Sequence, residues 1–318
     1  MNWKCRYNFG INTIFLLLFF AVIFTLPVCV IAETWSSGFR NYAGNDLWNN
    51  PANWSAGVPN NQGKAIIYET YTSQGGRYCL IDGTVSNAVC EWLVVGFQNG
   101  ESQAADWDEF YEDTIIPHLM ITGGYLNVYT PASPVDQQGK LYIGKGDSSN
   151  GNSLTAGPGI LTITDGVVDC RDIYIGYGSK GMMEMTGGVV NCSRYISLGS
   201  QSYGELGPGG VLYLFDGVIN IYSDWTVNIS DTSQIVVGQG KIYFYNVNSS
   251  SAAEDIVAKI SDYIDSGKIV GNNGIEVLVY YDSSLSRVVL ESISADFNFD
   301  NRIDFVDFAI MASEWLSN

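Results

Sequence analysis

The sequence predicts an all-β chain: a parallel β-solenoid, or β-helix, with a small αββ element and a loop followed by a helix at its C-terminal end. Three observations carry the prediction. A 12-residue block recurs along the chain, its residues alternate apolar and polar, and each copy turns on an Asp-Gly or a Gly-Gly. Glycine is frequent, 35 residues against 8 prolines, without the Gly-X-Y period of collagen. The 318 residues are 46% apolar and 13% aromatic, enough to bury a sizeable core.

Residues 1–32 read as a secretory signal peptide. Lys4 and Arg6 supply the positive start, Ile14 to Leu26 is a 13-residue apolar run broken only by Thr25, and Val30-Ile31-Ala32 precedes Glu33 as a cleavage site. The alternative is an uncleaved signal anchor over Ile14–Ala32, 19 nearly all-apolar residues. A lipoprotein reading through Cys29 is weaker, because Val28 is large for the position before a lipidated cysteine. The expected location is outside the cell or on its surface, with membrane contact only through this segment. Removing it takes away two basic and no acidic residues, and the net charge moves from -18 to -20. Such a chain repels phosphate backbones, so no nucleic-acid partner is expected. His118 is the one histidine, which argues against a His-rich metal site and against histidine-based triads.

Residues 33–245 form the solenoid with an N-terminal cap. The cap is the turn-rich piece Asp46-Leu-Trp-Asn-Asn-Pro-Ala-Asn-Trp54 and Gly57-Val-Pro-Asn60. Its tryptophans are read as covering the open end; stacking on sugar rings is the other reading. The repeat is clearest in Gly159-Ile-Leu-Thr-Ile-Thr-Asp-Gly-Val-Val-Asp-Cys170 and Gly181-Met-Met-Glu-Met-Thr-Gly-Gly-Val-Val-Asn-Cys192, a shift of 22. Gly210-Val-Leu-Tyr-Leu-Phe-Asp-Gly-Val-Ile-Asn-Ile221 follows at a shift of 29, the extra residues falling in 201–209. His118–Val128 is a fourth copy and Cys79–Ser86 a degenerate fifth. A second short strand ending in glycine follows each: Val94-Val-Gly96, Tyr142-Ile-Gly144, Tyr174-Ile-Gly176, Ser197-Leu-Gly199 and Val236-Val-Gly238. Leu161 and Ile163, or Leu212 and Leu214, make half-buried strands, and the glycine after each strand supplies a corner. One such unit cannot bury its inner side alone, whereas stacked units share a continuous core. A β-sandwich of the same hairpins would not need copies that resemble one another.

Four cysteines remain after the signal: Cys79, Cys90, Cys170 and Cys192. Export suggests disulfides, Cys79–Cys90 and Cys170–Cys192, since the latter two occupy equivalent repeat positions. Four buried free thiols are the alternative. Two insertions interrupt the repeats. Gln98–Ile115 is acidic (Asp106, Asp108, Glu109, Glu112, Asp113) and reads as a solvated loop, because its spacing fits no metal motif. Asp147–Pro158 reads as a surface loop.

Residues 246–294 change pattern. Ala253, Ile256, Val257, Ile260, Tyr263 and Ile264 fall at helical spacing, with Ser251 as N-cap and Gly267 as the stop. Glu276–Tyr281 and Arg287–Glu291 then form a hairpin. This αββ element is expected to close the other end.

Residues 295–318 carry a cation motif. Asp296, Asn298, Asp300, Asp304 and Asp307 place side-chain oxygens at loop positions 1, 3, 5, 9 and 12, and Arg302 offers its carbonyl at position 7. Calcium takes about six to eight oxygen ligands, and a loop of this spacing supplies them. Asn301 replaces the usual glycine at position 6. A helix with an apolar face of Phe305, Phe308, Ala309, Met311, Ala312, Trp315 and Leu316 follows. An acidic turn before a terminal helix is the other reading. The pattern Asp-x-Asn-x-Asp-x-x-Ile-Asp-x-x-Asp with Phe-Ala-x-x-Ala-x-x-Trp-Leu resembles a dockerin type I repeat, in single copy. The Trp-x-x-Pro-x-Asn-Trp start and the Gly-Gly repeats are similar to exported planctomycete-type β-solenoid proteins with autotransporter-like repeats. The dockerin resemblance implies calcium as cofactor and docking to a cohesin-like scaffold or cell-surface component, usually around polysaccharide.

Solenoids also serve as polysaccharide lyases and glycoside hydrolases, so catalysis is the alternative function. A lyase needs a basic residue on its cleft, but Lys140, Lys145, Arg171, Lys180 and Arg194 do not recur at one repeat position. A hydrolase needs two facing carboxylates. Asp165 and Asp216 instead occupy equivalent corners, and Asp169 matches Asn191 and Asn220 as a structural slot. No catalytic residue is assigned. Binding of a glycan, cell or scaffold is the expected role.

Overall fold

The computed structural model describes residues 36–39, 46–60, 63–68, 78–97, 116–128, 139–145, 157–199, 209–223, 227–245 and 249–293, with Ala309, Ala312 and Ser313. Residues 1–35 form a separate unit that lies wholly outside the described residues, and the signal-peptide prediction with it. Strands make up 61% of the described residues, and most join one large, mainly parallel sheet, so the chain is all-β.

The sheet runs as three registered ladders. The first joins β3 (Cys79–Ile81), the start of β6 (His118–Val128), β8 (Gly159–Tyr177), β9 (Gly181–Leu198), β10 (Gly210–Ile221), β12 (Gln234–Val237) and β14 (Ile269–Gly271). Its inward column reads Leu119, Leu161, Met183, Leu212, Ile235 and Ile269. The second joins β4 (Ala88–Val89), the end of β6, the middle of β8 and β9, the end of β10, and β13 (Lys241–Phe244). Its column reads Ala88, Leu126, Val168, Val190, Ile219 and Ile242. The third joins β1 (Ser36–Phe39), β2 (Lys64–Tyr68), β5 (Trp92–Phe97), β7 (Lys140–Lys145), the ends of β8 and β9, and β11 (Asn228–Ile229). Its column reads Ile67, Val95, Ile143, Ile175, Leu198 and Ile229. All three columns enter a single buried cluster. Removal of apolar surface from water there is the main stabilising term, at about 25 cal/mol per Å².

The repeat appears directly as register. Gly159, Gly181 and Gly210 pair across β8, β9 and β10, as do Val167, Val189 and Val218. The corner between the first and second ladders turns on glycines of positive φ, 93° at Gly166 and 91° at Gly217. A Cβ on Gly217 would stand 2.7 Å from the Gly187 carbonyl oxygen, so the neighbouring strand β9 excludes a side chain there.

Three expectations are corrected. Val236-Val-Gly238 was assigned to the second short strand of a repeat, but β12 lies in the first ladder, and β11 takes the place opposite Ser197 and Leu198. Both strand types end in an apolar pair and glycine, so only pairing separates them. The helix, α1 (Ser250–Asp265), is capped by Ser249 rather than Ser251: Ala252 N–H donates to the Ser249 hydroxyl at 3.1 Å. Consecutive serines leave that choice to geometry. Its stop is at Gly267, φ 73°, as expected. Finally, all four cysteines are free and buried. Cys170 and Cys192 do meet in register, and Cys192 Sγ lies 3.2 Å from the carbonyl oxygens of both Arg171 and Tyr195, either of which can accept its one proton. Parallel neighbours stand about 4.8 Å apart with side chains abreast, whereas a disulfide brings Cβ atoms to about 3.8 Å. Cys79 lies in the first ladder and Cys90 just after β4 in the second, so each enters the core from its own side.

Both ends of the ladders are covered. At the N-terminal end Leu47 bridges Leu80, placing Trp48 and Trp54 in the core with rings 4.8 Å apart, edge to face. The Trp54 indole N–H donates to the Trp48 carbonyl at 2.7 Å. These rings are packed away and unable to stack on a ligand. At the other end α1 contributes Ala253, Ile256 and Ile260 to the core. The second ladder there turns antiparallel, through β16 (Arg287–Ile293) and then β15 (Glu276–Asp282).

A Gly217→Ala substitution is expected to cost about 2–4 kcal/mol, from forced positive φ and overpacking against the β9 backbone. Gly57→Ala, also at positive φ but with open space around it, should cost about 1 kcal/mol. Thermal unfolding of the two variants checks the difference.

Candidate functional site

The assigned metal ligands, Asp296, Asn298, Asp300, Arg302, Asp304 and Asp307, lie outside the described residues. Of the helix expected after them, Ala309, Ala312 and Ser313 are helical, with Ala309 exposed rather than on a buried face. The acidic insertion, residues 98–115, also lies outside the described residues. Among the described residues no cluster of three or more His, Cys, Asp or Glu side chains is placed to hold a metal ion.

The described chemistry concentrates on the outer side of the third ladder. Strand residues alternate sides, so inward Leu93, Leu141 and Ile173 send their neighbours outward. Register then stacks Ile66, Val94, Tyr142, Tyr174 and Ser197 in one outer column. Lys64 pairs with Trp92, and Asp172 pairs with both Lys140 and Tyr195, in the next. Tyr142 and Tyr174 stack 4.7 Å apart at 10°. Trp92 meets Tyr142 edge-on at 5.6 Å, Tyr177 meets both tyrosines at 5.4 and 5.3 Å, and Tyr195 meets Tyr174 at 5.6 Å. Tyr174 is buried beneath its neighbours, while Trp92, Tyr177 and Tyr195 remain half-buried at the rim.

Cations lie on these rings. Lys145 Nζ is 4.1 Å from the Trp92 ring and 5.0 Å from that of Tyr142, and Lys64 Nζ is 4.6 Å from Trp92. Lys140 stands 5.9 Å from Tyr174, and the Arg194 guanidinium 4.9 Å from Tyr195. Contacts of this length are attractive by about 0.5–1 kcal/mol each at exposed sites. Asp172 is fully buried; Arg194 Nε and Nη2 donate to its two oxygens, both at 2.6 Å, and Arg171 Nε adds a contact of 3.3 Å. That fork holds the Arg194 guanidinium above its usual range. A buried carboxylate without such donors would be strongly destabilising.

The phenols of this group are held in their neutral form. Burial, and then a hydrogen bond shared with the Tyr195 hydroxyl, pushes the Tyr174 phenol well up, and burial does the same at Tyr142. A phenol serving as base needs the opposite shift. The corner acids are turn residues: Asp165 and Asp216 accept the amide protons of Gly166 and Gly217 at 2.7 and 2.6 Å. Asp169, Asn191 and Asn220 form a hydrogen-bonded column on the second ladder, with steps of 2.7 and 2.8 Å.

Of the five basic residues considered from sequence, Lys140, Lys145, Arg171 and Arg194 come together here; Lys180 instead precedes β9, at the corner where its carbonyl accepts from Gly159 N–H at 3.2 Å. Lys64, Trp92, Tyr142 and Tyr195 were not singled out. The alignment of Tyr142-Ile-Gly144 with Tyr174-Ile-Gly176 was the available signal for part of this group.

Fold and site together define a class: an all-β protein of stacked parallel strands with an aromatic and cationic outer strip. No known protein family, curated protein or solved structure matches the chain.

His118 gives the fold a pH dependence. Its Nε2 lies 3.0 Å from the Thr162 hydroxyl, and burial lowers its pKa from 6.5 to about 4. The unfolded chain therefore binds a proton that the folded chain refuses. Stability is unaffected above pH 6.5 and falls as pH drops from 6.5 towards 4, by up to about 3 kcal/mol. Denaturant titrations across this range should show the loss, and His118→Gln should flatten it.

Proposed function

We propose that this chain is an exported, non-catalytic β-solenoid that presents a rigid outer surface to a glycan, cell or scaffold. Its C-terminal loop, similar to a dockerin repeat, docks or anchors it through calcium. The observation that carries the reading is the outer strip of the third ladder, where rings and cations from successive strands are set side by side by backbone register. Support for binding over catalysis comes from phenols held neutral and carboxylates engaged by their own turns or by arginine. The solenoid reading itself draws on three parallel ladders in which residues 22 apart in sequence pair.

Two measurements test this function. Retention of the chain on a panel of insoluble polysaccharides and cell walls should occur without release of reducing ends or unsaturated sugars. Product release would move the assignment to lyase or hydrolase. Calcium titration by calorimetry on residues 33–318, and on the same chain cut after Ser294, addresses the anchor. Saturable binding that disappears with the cut is expected. Equal binding by both chains would move the metal to the acidic insertion, and no binding would remove calcium from the reading.

A further inference from the structure

We infer that the outer side of the third ladder is a binding strip for an anionic polysaccharide. The inference rests on the display function above and names its ligand class. It begins from a contrast in charge. The chain carries 33 acidic and 15 basic residues, yet Lys64, Lys140, Lys145, Arg171 and Arg194 gather on this one side. The described acids beside them are Asp172, wholly buried and gripped by the arginines, and Glu91, 9% exposed. Lys64 meets the Trp92 ring and no carboxylate among the described residues. Lys64, resting on a ring, keeps its full charge for a ligand, which a cation in a close ion pair does not.

The geometry selects a polymer. Five successive strands, β2, β5, β7, β8 and β9, contribute to the strip, and at about 4.8 Å per strand they span about 19 Å. That is a linear track of alternating ring and cation, longer than a single small anion can use. The half-buried rings of Trp92, Tyr177 and Tyr195 add apolar surface against which a sugar ring can lie, over a floor of Tyr142 and Tyr174.

Charge then separates the polyanions. Duplex nucleic acid carries a phosphate charge about every 1.7 Å, and a chain of net charge -18 opposes it beyond the strip. An acidic polysaccharide spaces its charges more widely, and screening over about 8 Å at physiological salt confines the interaction to the local cations. Saccharide rings also match the aromatic rim.

The test is binding of the full chain to polygalacturonate, to its methyl-esterified neutral form, to dextran sulfate and to DNA, by affinity electrophoresis. Polygalacturonate should bind and weaken with salt, and the methyl ester should not bind. Dextran sulfate distinguishes a sulfate source of charge from a carboxylate, and binding to either supports the strip. Replacing both Lys64 and Lys145 by alanine should weaken binding about tenfold, since each exposed charge contact contributes up to about 1 kcal/mol. Arginine at both positions should restore it, and Lys259→Ala, on α1, should leave it unchanged. Equal binding of the methyl ester, binding indifferent to the lysine and arginine variants, or no polyanion bound at all would overturn the inference. DNA bound as tightly as polygalacturonate would reassign the strip to nucleic acid. A chain that still holds neutral polysaccharides or cell walls while failing these arms keeps its display function. Loss of all retention would remove both.

Discussion

The structure depends on registered stacking of apolar columns. In the first ladder Leu119, Leu161, Met183 and Leu212 lie one above another, each fully buried only because the strands on either side are in place. The same stacking satisfies backbone hydrogen bonds between strands, so removal of one strand would expose both apolar side chains and polar backbone. The corners follow from this constraint. Strands at this spacing leave no room for a Cβ at Gly217, and a glycine of positive φ at Gly166, Gly188 and Gly217 is what lets the chain pass from one ladder to the next. The ends follow as well. Trp48 and Trp54 join the buried cluster near the start of the ladders and Ala253, Ile256 and Ile260 of α1 near their end, where a terminal column would otherwise face water.

Inward positions are committed to packing, so outward positions are where chemistry can vary. The second ladder uses them for an amide and carboxylate column, Asp169, Asn191 and Asn220, whose bonds run between adjacent strands and reinforce register. Tyr125 donates its hydroxyl to Asp169 at the head of this column, and burial followed by that hydrogen bond raises the phenol to about 12. The third ladder uses its outward positions for rings and cations. Its one fully buried carboxylate, Asp172, is tolerated because Arg194 presents two parallel N–H groups to it. The two outer surfaces thus differ in chemistry: one carries an amide and carboxylate column hydrogen-bonded to itself, and the other sets rings beside cations.

The sequence by itself determined the repeat, its strands and its corners. A 22-residue shift that preserves glycine, alternating apolar residues and a corner pair leaves little choice but stacked strands, and the pairing of Gly159 with Gly181 shows that shift as a spatial contact. It determined α1 to within two residues and the hairpin after it, since both follow from local periodicity. Only the tertiary structure decided the rest. Placement of β12 in the first ladder, the free state of Cys170 and Cys192, and the edge-to-face contact of Trp48 with Trp54 all depend on what lies across the space between segments. The strip was hidden for the same reason. Lys64, Trp92, Lys140, Lys145 and Arg194 are scattered over 130 residues at unequal repeat positions, and only registered stacking of five strands brings them to one surface.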